Sequence, residues 1–158
     1  MTSVLFVCLG NICRSPAAEG ILRHMVSQNS SLKDLEIQSC GLGSWHAGNL
    51  PDLRMQEAAK KRGVTLTSRA QAITPEFFNR FDYILAADHE VLKTLQKHAH
   101  QPEHKAKLYL MTAFSQGYTN EEVPDPYYGG EAGFELVLDM LEDACEGFLS
   151  HIKKSKKS

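Results

Sequence analysis

The chain has 158 residues, 42% of them hydrophobic, which is enough to build one core of ordinary domain size. With 17 basic and 19 acidic residues its formal net charge is -2, which argues against nucleic acid or an anionic membrane as a partner. The start, MTSVLFVCLG, lacks the features of a signal peptide or a membrane span, and four cysteines are too few for a disulfide scaffold. We therefore expect a cytoplasmic protein with one domain over residues 1–152 and a disordered basic tail over residues 153–158.

The first predicted elements are a strand, a loop and a helix. Residues 4–7 are wholly apolar, which is typical of a strand buried on both faces. The loop CLGNICR follows, and Ser15-Pro16 then starts a helix with Ser15 as N-cap and Pro16 at its first position. Residues 35–39 alternate apolar and polar side chains, which predicts a second strand before the glycine-rich loop CGLGSWHAGN.

The rest of the chain continues the alternation of helices and strands. The predicted elements are, in order, a helix over residues 52–62 ended by Gly63, a short helix ending near Arg80, a strand over 83–87, a helical stripe over 91–95, a strand over 108–110, a turn-rich region over 117–130 and an amphipathic helix over 131–152. This order predicts an α/β fold, a three-layer sandwich with a short, about four-stranded parallel sheet and helices on both faces. Ligands of such sheets bind beyond the carboxyl ends of the strands, where residues 8–14 would lie.

Residues 8–14 have the features of a phosphate-binding cup. The backbone amides and the positive end of the following helix form an anion site, which Gly10 and Asn11 permit through unusual backbone angles. This environment and Arg14 favour the thiolate form of Cys8, and Arg14 can hold two phosphoryl oxygens at once. Ser15 can also donate to the sulfur. The alternative is that Cys8 is a small buried hydrophobe and Arg14 an ordinary surface charge.

Asp125 is the candidate proton donor for a leaving group. It lies between Pro124 and Pro126, whose fixed φ angles would hold the carboxyl group rigidly. The adjacent Tyr127 and Tyr128 could form an aromatic slot. The alternative is a simple turn, since Asp, Pro and Gly are common turn residues.

The segments VCLGNICRSP and DPYYG resemble the low-molecular-weight protein tyrosine phosphatase family, over nearly the whole chain. The resemblance implies hydrolysis of phosphotyrosine and aryl phosphates through a cysteinyl-phosphate, with Cys8 as nucleophile, Arg14 as clamp and Asp125 as acid and later base. It implies phosphotyrosine-containing proteins as substrates, inorganic phosphate and similar oxyanions as inhibitors, and no metal or other cofactor. The further site residues that it implies are Leu9, Gly10, Asn11, Ile12, Cys13, Ser15, Trp45, Tyr127 and Tyr128 at the substrate, and Ser39 in support of the loop.

The chain departs from the family pattern at Ser68, where many members carry a histidine that helps to brace the loop. Cys13 resembles the second loop cysteine of the family, which can form a reversible disulfide with Cys8. Ile12 stands at the position where related arginine phosphatases carry a threonine. By this resemblance, the isoleucine favours an aromatic phosphoester over phosphoarginine as substrate. Trp45 resembles the variable aromatic rim of the family, although a lone tryptophan is as often a core residue.

Two other functions remain as alternatives. An arsenate reductase of the same fold needs further cysteines downstream, and none lies between Gly41 and Glu142. A non-catalytic module that binds phosphorylated ligands through an intact cup is not excluded by the sequence.

Overall fold

The computed structural model describes residues 2–29, 32, 34–126 and 130–157, with the backbone alone for residues 155–157. A sheet of four parallel strands runs through the molecule in the order β2-β1-β3-β4. The strands are β1 (Ser3–Cys8), β2 (Glu36–Gly41), β3 (Tyr83–Ala86) and β4 (Leu108–Leu110). The apolar run that predicted a buried strand is therefore an inner strand, β1, with neighbours on both sides.

Helices connect the strands, as parallel pairing requires. They are α1 (Arg14–Ser27), α2 (Leu53–Lys60), α3 (Phe77–Arg80), α4 (His89–His98), α5 (Pro102–Lys105) and α6 (Glu131–Lys157). The short helix α5 has no counterpart among the predicted elements, and none of its residues is buried. The helix α6 continues past Ile152 to Lys157, because lysine is a good helix former and its charge favours the C-terminal end of a helix.

The two faces of β1 belong to two separate apolar clusters. Val4 and Phe6 pack in the cluster that contains α1, α2 and α6, whereas Leu5 and Val7 pack in the cluster that contains α3 and α4. Side chains alternate between faces along a strand, so helices cover the sheet on both sides. The three-layer α/β sandwich predicted from the sequence is confirmed.

The start of α1 differs from the prediction in one residue that matters for the site. The helix begins at Arg14 with Cys13 as its N-cap residue, and no side chain caps it. Ser15 is therefore inside the first turn, and its hydroxyl group lies 2.9 Å from the sulfur of Cys8. The predictions of Ser15 as the N-cap and of Pro16 at the first helical position are both wrong, because the helix already begins at Arg14.

The carboxyl ends of the four strands lie at one edge of the sheet, and the loops that follow them meet there. The carbonyl groups of Cys8 and Leu9 accept hydrogen bonds from the amide of Leu42, which joins the loop after β1 to the loop after β2.

None of the helices over the described residues has the length and apolar character needed to span a membrane.

Candidate active site

The loop after β1 curls around the sulfur of Cys8. Sγ of Cys8 lies 2.9 Å from Oγ of Ser15 and accepts a hydrogen bond of 3.3 Å from the backbone amide of Asn11. Asn11 has a φ of 59°, in the left-handed region that asparagine tolerates better than most residues. This turn of the backbone brings the amide of Asn11 back toward the sulfur three residues earlier.

Several amides of the same loop are available to an anion. The backbone N–H groups of Gly10, Ile12 and Cys13 donate to no acceptor within the part of the chain that the structure describes. The loop leads into α1, whose N-terminal end carries a partial positive charge and further amides without intrahelical partners. Amides arranged in this way around a strand-to-helix connection form a binding site for an oxyanion.

The side chain of Asn11 determines the direction of the hydrogen bonds behind the loop. Its Oδ1 accepts from the backbone amide of Gln71 at 3.0 Å, so its amide nitrogen must face the other way. The nitrogen, Nδ2, donates to Oγ of Ser15 at 2.7 Å and to Oγ of Ser39 at 3.0 Å. Both serine hydroxyls are therefore acceptors toward Asn11 and keep their own protons for another partner.

The remaining protons of the two serines face different acceptors. Ser39 donates its proton to Oε1 of the buried Glu19 at 2.5 Å, and Glu19 is paired with Arg23 at 2.9 Å. Oγ of Ser15 lies 2.9 Å from the sulfur of Cys8 and 3.4 Å from the carbonyl oxygen of Cys40, so the sulfur is the closer of its two acceptors. The network therefore places a hydroxyl group beside the sulfur.

Ser68 has no hydrogen bond to this network among the residues with described side chains. The segment that carries it contributes through Gln71, whose backbone amide binds Asn11 and whose side-chain nitrogen donates to the carbonyl of Ser39 at 2.9 Å. The loop is thus braced from this side by a residue three positions further along the chain.

The guanidinium group of Arg14 is buried and fixed in orientation. Its Nη1 donates to Oδ2 of Asp88 at 2.7 Å and to the carbonyl of Val123 at 2.9 Å, and its Nη2 lies 3.9 Å from Oδ2 of Asp125. Burial lowers the pKa of Arg14, but the charges of Cys8, Asp88 and Asp125 outweigh this effect, so the net pKa is raised. Arg14 is a permanent cation within the site.

Asp125 reaches the site because the loop before it is held at two points. The amide of Val123 donates to the carbonyl of Ala87 at 2.8 Å, at the end of β3, while its own carbonyl accepts from Arg14. Asp125 follows two residues later, and its side chain is 43% exposed, open to solvent on one side. The same arginine therefore contacts the loop that carries Asp125 and lies next to its carboxylate.

A cavity of about 390 Å³ joins these groups. Its lining residues are Cys8, Leu9, Gly10, Ile12, Cys13, Arg14, Trp45, His46 and Asp125. Trp45 at its mouth is 68% exposed and Leu9 is 48% exposed, so an apolar rim surrounds a floor of sulfur and guanidinium. The shape suits a ligand with a charged head and an aromatic body.

Cys13 differs from Cys8 in its electrostatic surroundings. Burial, together with the negative charges of Asp52, Asp125 and Cys8, raises the pKa of the Cys13 thiol to about 12. Cys13 is therefore a neutral thiol at physiological pH. All four cysteines are free in the structure, Cys8 and Cys13 included.

The sequence and the fold of the chain are similar to those of known proteins from one family. The model of the low molecular weight phosphotyrosine protein phosphatase family matches residues 3–158. The chain belongs to this family. The low molecular weight phosphotyrosine protein phosphatase of Gallus gallus is 40% identical over 148 residues, which is 93% of each chain.

Solved structures of related phosphatases have the same fold. A protein tyrosine phosphatase from Entamoeba histolytica with Hepes in its active site is 38% identical, with a TM-score of 0.94 and 99% of each chain covered. The arginine phosphatase of Drosophila is 36% identical, with a TM-score of 0.88, and covers 97% of this chain and 98% of its own. As a family member the chain is an enzyme, a protein tyrosine phosphatase and thus a hydrolase.

The structure of this phosphatase brings most of the predicted site residues together. Cys8, Arg14 and Asp125 line one cavity, with Trp45 at its mouth rather than in the core. The loop residues Asn11 and Ser15, together with Ser39, form the hydrogen-bond network behind it. Tyr127 and Tyr128 lie outside the described residues.

Four residues of the phosphatase site were missed by the sequence analysis. They are Glu19, His46, Gln71 and Asp88. A signal existed for Asp88, since it directly follows a buried strand and caps the next helix through Val91 at 2.8 Å, where parallel sheets bind ligands. His46 lies in a loop that was recognised, but nothing in its sequence context distinguishes it.

Proposed function

We propose that the phosphatase hydrolyses phosphotyrosine and aryl phosphates in two steps through a cysteinyl-phosphate on Cys8. The observation that carries this proposal is the convergence of Cys8, Arg14 and Asp125 on one cavity with an apolar rim. A thiolate, a fixed guanidinium and a carboxyl group are the nucleophile, the charge stabiliser and the proton donor that such a reaction needs.

In the first step the Cys8 thiolate attacks phosphorus and the bond from phosphorus to the aryl oxygen breaks. Asp125, in its protonated form, gives its proton to the departing oxygen, so a neutral phenol leaves and Asp125 becomes a carboxylate. The hydrogen bonds to Sγ from Asn11 and Ser15 support the thiolate before attack. Arg14, held by Asp88, supports the charge on the phosphoryl oxygens throughout.

In the second step a water molecule attacks the cysteinyl-phosphate. The Asp125 carboxylate takes a proton from this water as its oxygen bonds to phosphorus and the bond from sulfur to phosphorus breaks. Cys8 leaves as a thiolate and inorganic phosphate is released. The exposed side of the Asp125 carboxyl group supports this role, because water has access to it.

The substrates that fit this proposal are proteins that carry phosphotyrosine. The cavity is lined by apolar side chains at its mouth and can surround a phenyl ring, while the loop amides and Arg14 suit the phosphoryl group. Inorganic phosphate and similar oxyanions would compete for the same floor. We propose a cytoplasmic location, which the four free cysteines support, because thiols persist in a reducing compartment.

Hydrolysis of two aryl phosphates with different leaving groups tests this proposal. We expect no turnover by Cys8→Ser. Asp125→Ala should lower kcat on phenyl phosphate by about 10²- to 10⁴-fold, and less on 4-nitrophenyl phosphate, because a more acidic phenol needs less help from a proton donor. Acid quenching of the wild type during turnover, followed by peptide mass spectrometry, should find phosphate on Cys8.

Glu122→Gln is the matched control, since Glu122 lies on the same loop as Asp125 but binds the amide of His89 at 2.8 Å. Its activity should equal that of the wild type. If the wild type and all three variants hydrolyse both esters equally slowly, the proposal is wrong and binding without turnover replaces it. Faster hydrolysis of phosphoarginine than of either ester would assign a different substrate class.

A further inference from the structure

Trp45 at the mouth of the cavity rests on a glycine. The six-membered ring of its indole covers Gly43 so closely that a methyl group on Gly43 would lie 2.2 Å from Cζ3 and 2.5 Å from both Cε3 and Cη2. Such distances are well inside van der Waals contact. A side chain at position 43 and the observed position of the Trp45 ring therefore exclude each other.

The backbone at Gly43 does not require glycine. Its φ lies outside the left-handed region, unlike those of Gly48 at 85° and Gly63 at 81°. A φ outside the left-handed region is one that alanine also adopts. The φ therefore does not account for the glycine at this position, whereas the space that the indole occupies does.

The contact with Gly43 restricts a side chain that little else holds. Trp45 is 68% exposed, and an aromatic side chain on a solvent-facing loop would otherwise populate several rotamers. With its benzene ring against Gly43, the indole still lines the same cavity as Cys8 and Arg14. The glycine thus keeps the ring beside the entrance before any ligand arrives.

We propose that Gly43 is a positioning residue for the recognition of the substrate ring. By seating the indole of Trp45, it prepares an aromatic wall that contacts the aryl group of a ligand and leaves the phosphoryl group unaffected. This inference rests on the proposed function in one respect, that the ligand carries an aryl group. Loss of the seat should weaken aryl ligands selectively, because preorganised contacts reduce the entropy that binding would otherwise cost.

Binding measurements test this inference without turnover. The probes are phenylphosphonate, which carries an aryl ring and resists hydrolysis, and inorganic phosphate, which has no ring. Their Kd values are measured by calorimetry for the wild type, Gly43→Ala, Trp45→Ala and the double variant. Because Trp45 is the one tryptophan in the sequence, its fluorescence emission reports separately whether the indole has moved.

We expect Gly43→Ala to shift the emission of Trp45 and to weaken phenylphosphonate by about 2- to 12-fold, the range of one aromatic contact. The Kd of inorganic phosphate should stay within error of the wild-type value. In the Trp45→Ala background the same alanine should have no effect on either ligand, because no indole remains to be displaced.

Three results would overturn the inference. The first is that Gly43→Ala leaves both the emission of Trp45 and the Kd of phenylphosphonate unchanged. The second is that it raises the Kd of inorganic phosphate as much as that of phenylphosphonate, which would mean that Gly43 serves the loop as a whole. The third is that it raises the Kd of phenylphosphonate equally with and without Trp45. A wild type that binds phenylphosphonate but hydrolyses no aryl phosphate would refute the proposed function instead, and the comparison of Kd values would still decide the role of Gly43.

Discussion

Replacement of Asp88 by asparagine removes the negative charge that holds Arg14 and keeps the size of the side chain. Asp88 accepts from Nη1 of Arg14 through Oδ2 at 2.7 Å and caps α4 by accepting from the amide of Val91 through Oδ1. The one oxygen of asparagine can keep the cap, and its NH2 group, which only donates, then faces Arg14. The variant therefore removes both the charge and the acceptor opposite a guanidinium group whose side chain is 4% exposed.

The expected loss of stability follows from the burial of this pair. Two unit charges about 4 Å apart attract by about 4 kcal/mol at an effective dielectric constant of about 20, and loss of one partner from a buried pair costs about 3–5 kcal/mol. The Asp88 side chain is 20% exposed, so solvent partly screens the pair and the lower end of that range applies. We expect the free energy of unfolding to fall by about 3 kcal/mol, and the Tm by about 6–12 °C.

A dianion in the cup should partly replace the missing carboxylate. Inorganic phosphate stabilises any protein that it binds only in the folded state, and an uncompensated Arg14 should bind it more strongly. The increase in Tm on addition of phosphate should therefore be larger for Asp88→Asn than for the wild type. Urea unfolding measures the free energy and thermal unfolding measures the Tm, both followed by circular dichroism with and without phosphate.

Glu36→Gln provides the control for this experiment. It removes the charge opposite Arg80, in a pair whose side chains are 28% and 47% exposed, so we expect a loss of at most about 1 kcal/mol and no added response to phosphate. If Asp88→Asn loses no more stability than this control, or responds to phosphate as the wild type does, Asp88 is not the counter-charge of Arg14.

Two further predictions concern packing and pH. Gly147→Ala should destabilise the fold by more than about 4 kcal/mol or prevent folding, because its methyl group would lie 1.8 Å from the carbonyl oxygen of Phe114. Gly133→Ala is its control in the same urea assay. Its nearest contact among the described residues is at 3.7 Å, so it should stabilise α6 by up to about 1 kcal/mol. The folded state raises the pKa of Cys13 from 9.0 to about 12. The contribution of the neutral Cys13 thiol to stability is therefore complete below pH 9 and is lost as the pH rises toward 12. The fall in the free energy of unfolding between pH 9 and pH 12 should be smaller for Cys13→Ala than for the wild type. An identical alkaline profile for Cys13→Ala and the wild type would contradict this reasoning.

Local patterns in the sequence were sufficient for most of the fold. The long stripe of α6 carries many residues of one periodicity, and the apolar run of β1 is short and followed by turn residues, so each has one favoured interpretation. The helix α5 was missed because it has four residues and buries none of them, which leaves no periodic pattern. Ser15 was misassigned as a cap because a serine before a proline looks the same whether it caps the helix or contacts a sulfur.

The site was predictable where its residues are neighbours in sequence or where a local motif marks them, as Pro124 and Pro126 mark Asp125. Cys8, Asn11, Arg14 and Ser15 lie within one loop and the first turn of its helix, so their spacing carries information. Asp88 is 74 positions from Arg14, and its role depends on β3 lying beside β1, which strand order alone decides. The contact of Trp45 with Gly43 depends on the shape of a loop, and no periodicity encodes it.

The order of strands in the sheet also determines which connection brings which side chains to the cavity. The inner strand β1 ends at Cys8 and the helix after its loop begins at Arg14, the proposed nucleophile and clamp, and the turn after β3 supplies Asp88, which accepts from Arg14. The loop after β2 contributes Trp45 and His46 to the cavity but no carboxylate, arginine or lysine. These two side chains lie on a different segment from Cys8, Arg14 and Asp88, so this part of the entrance can be changed while those three residues are kept.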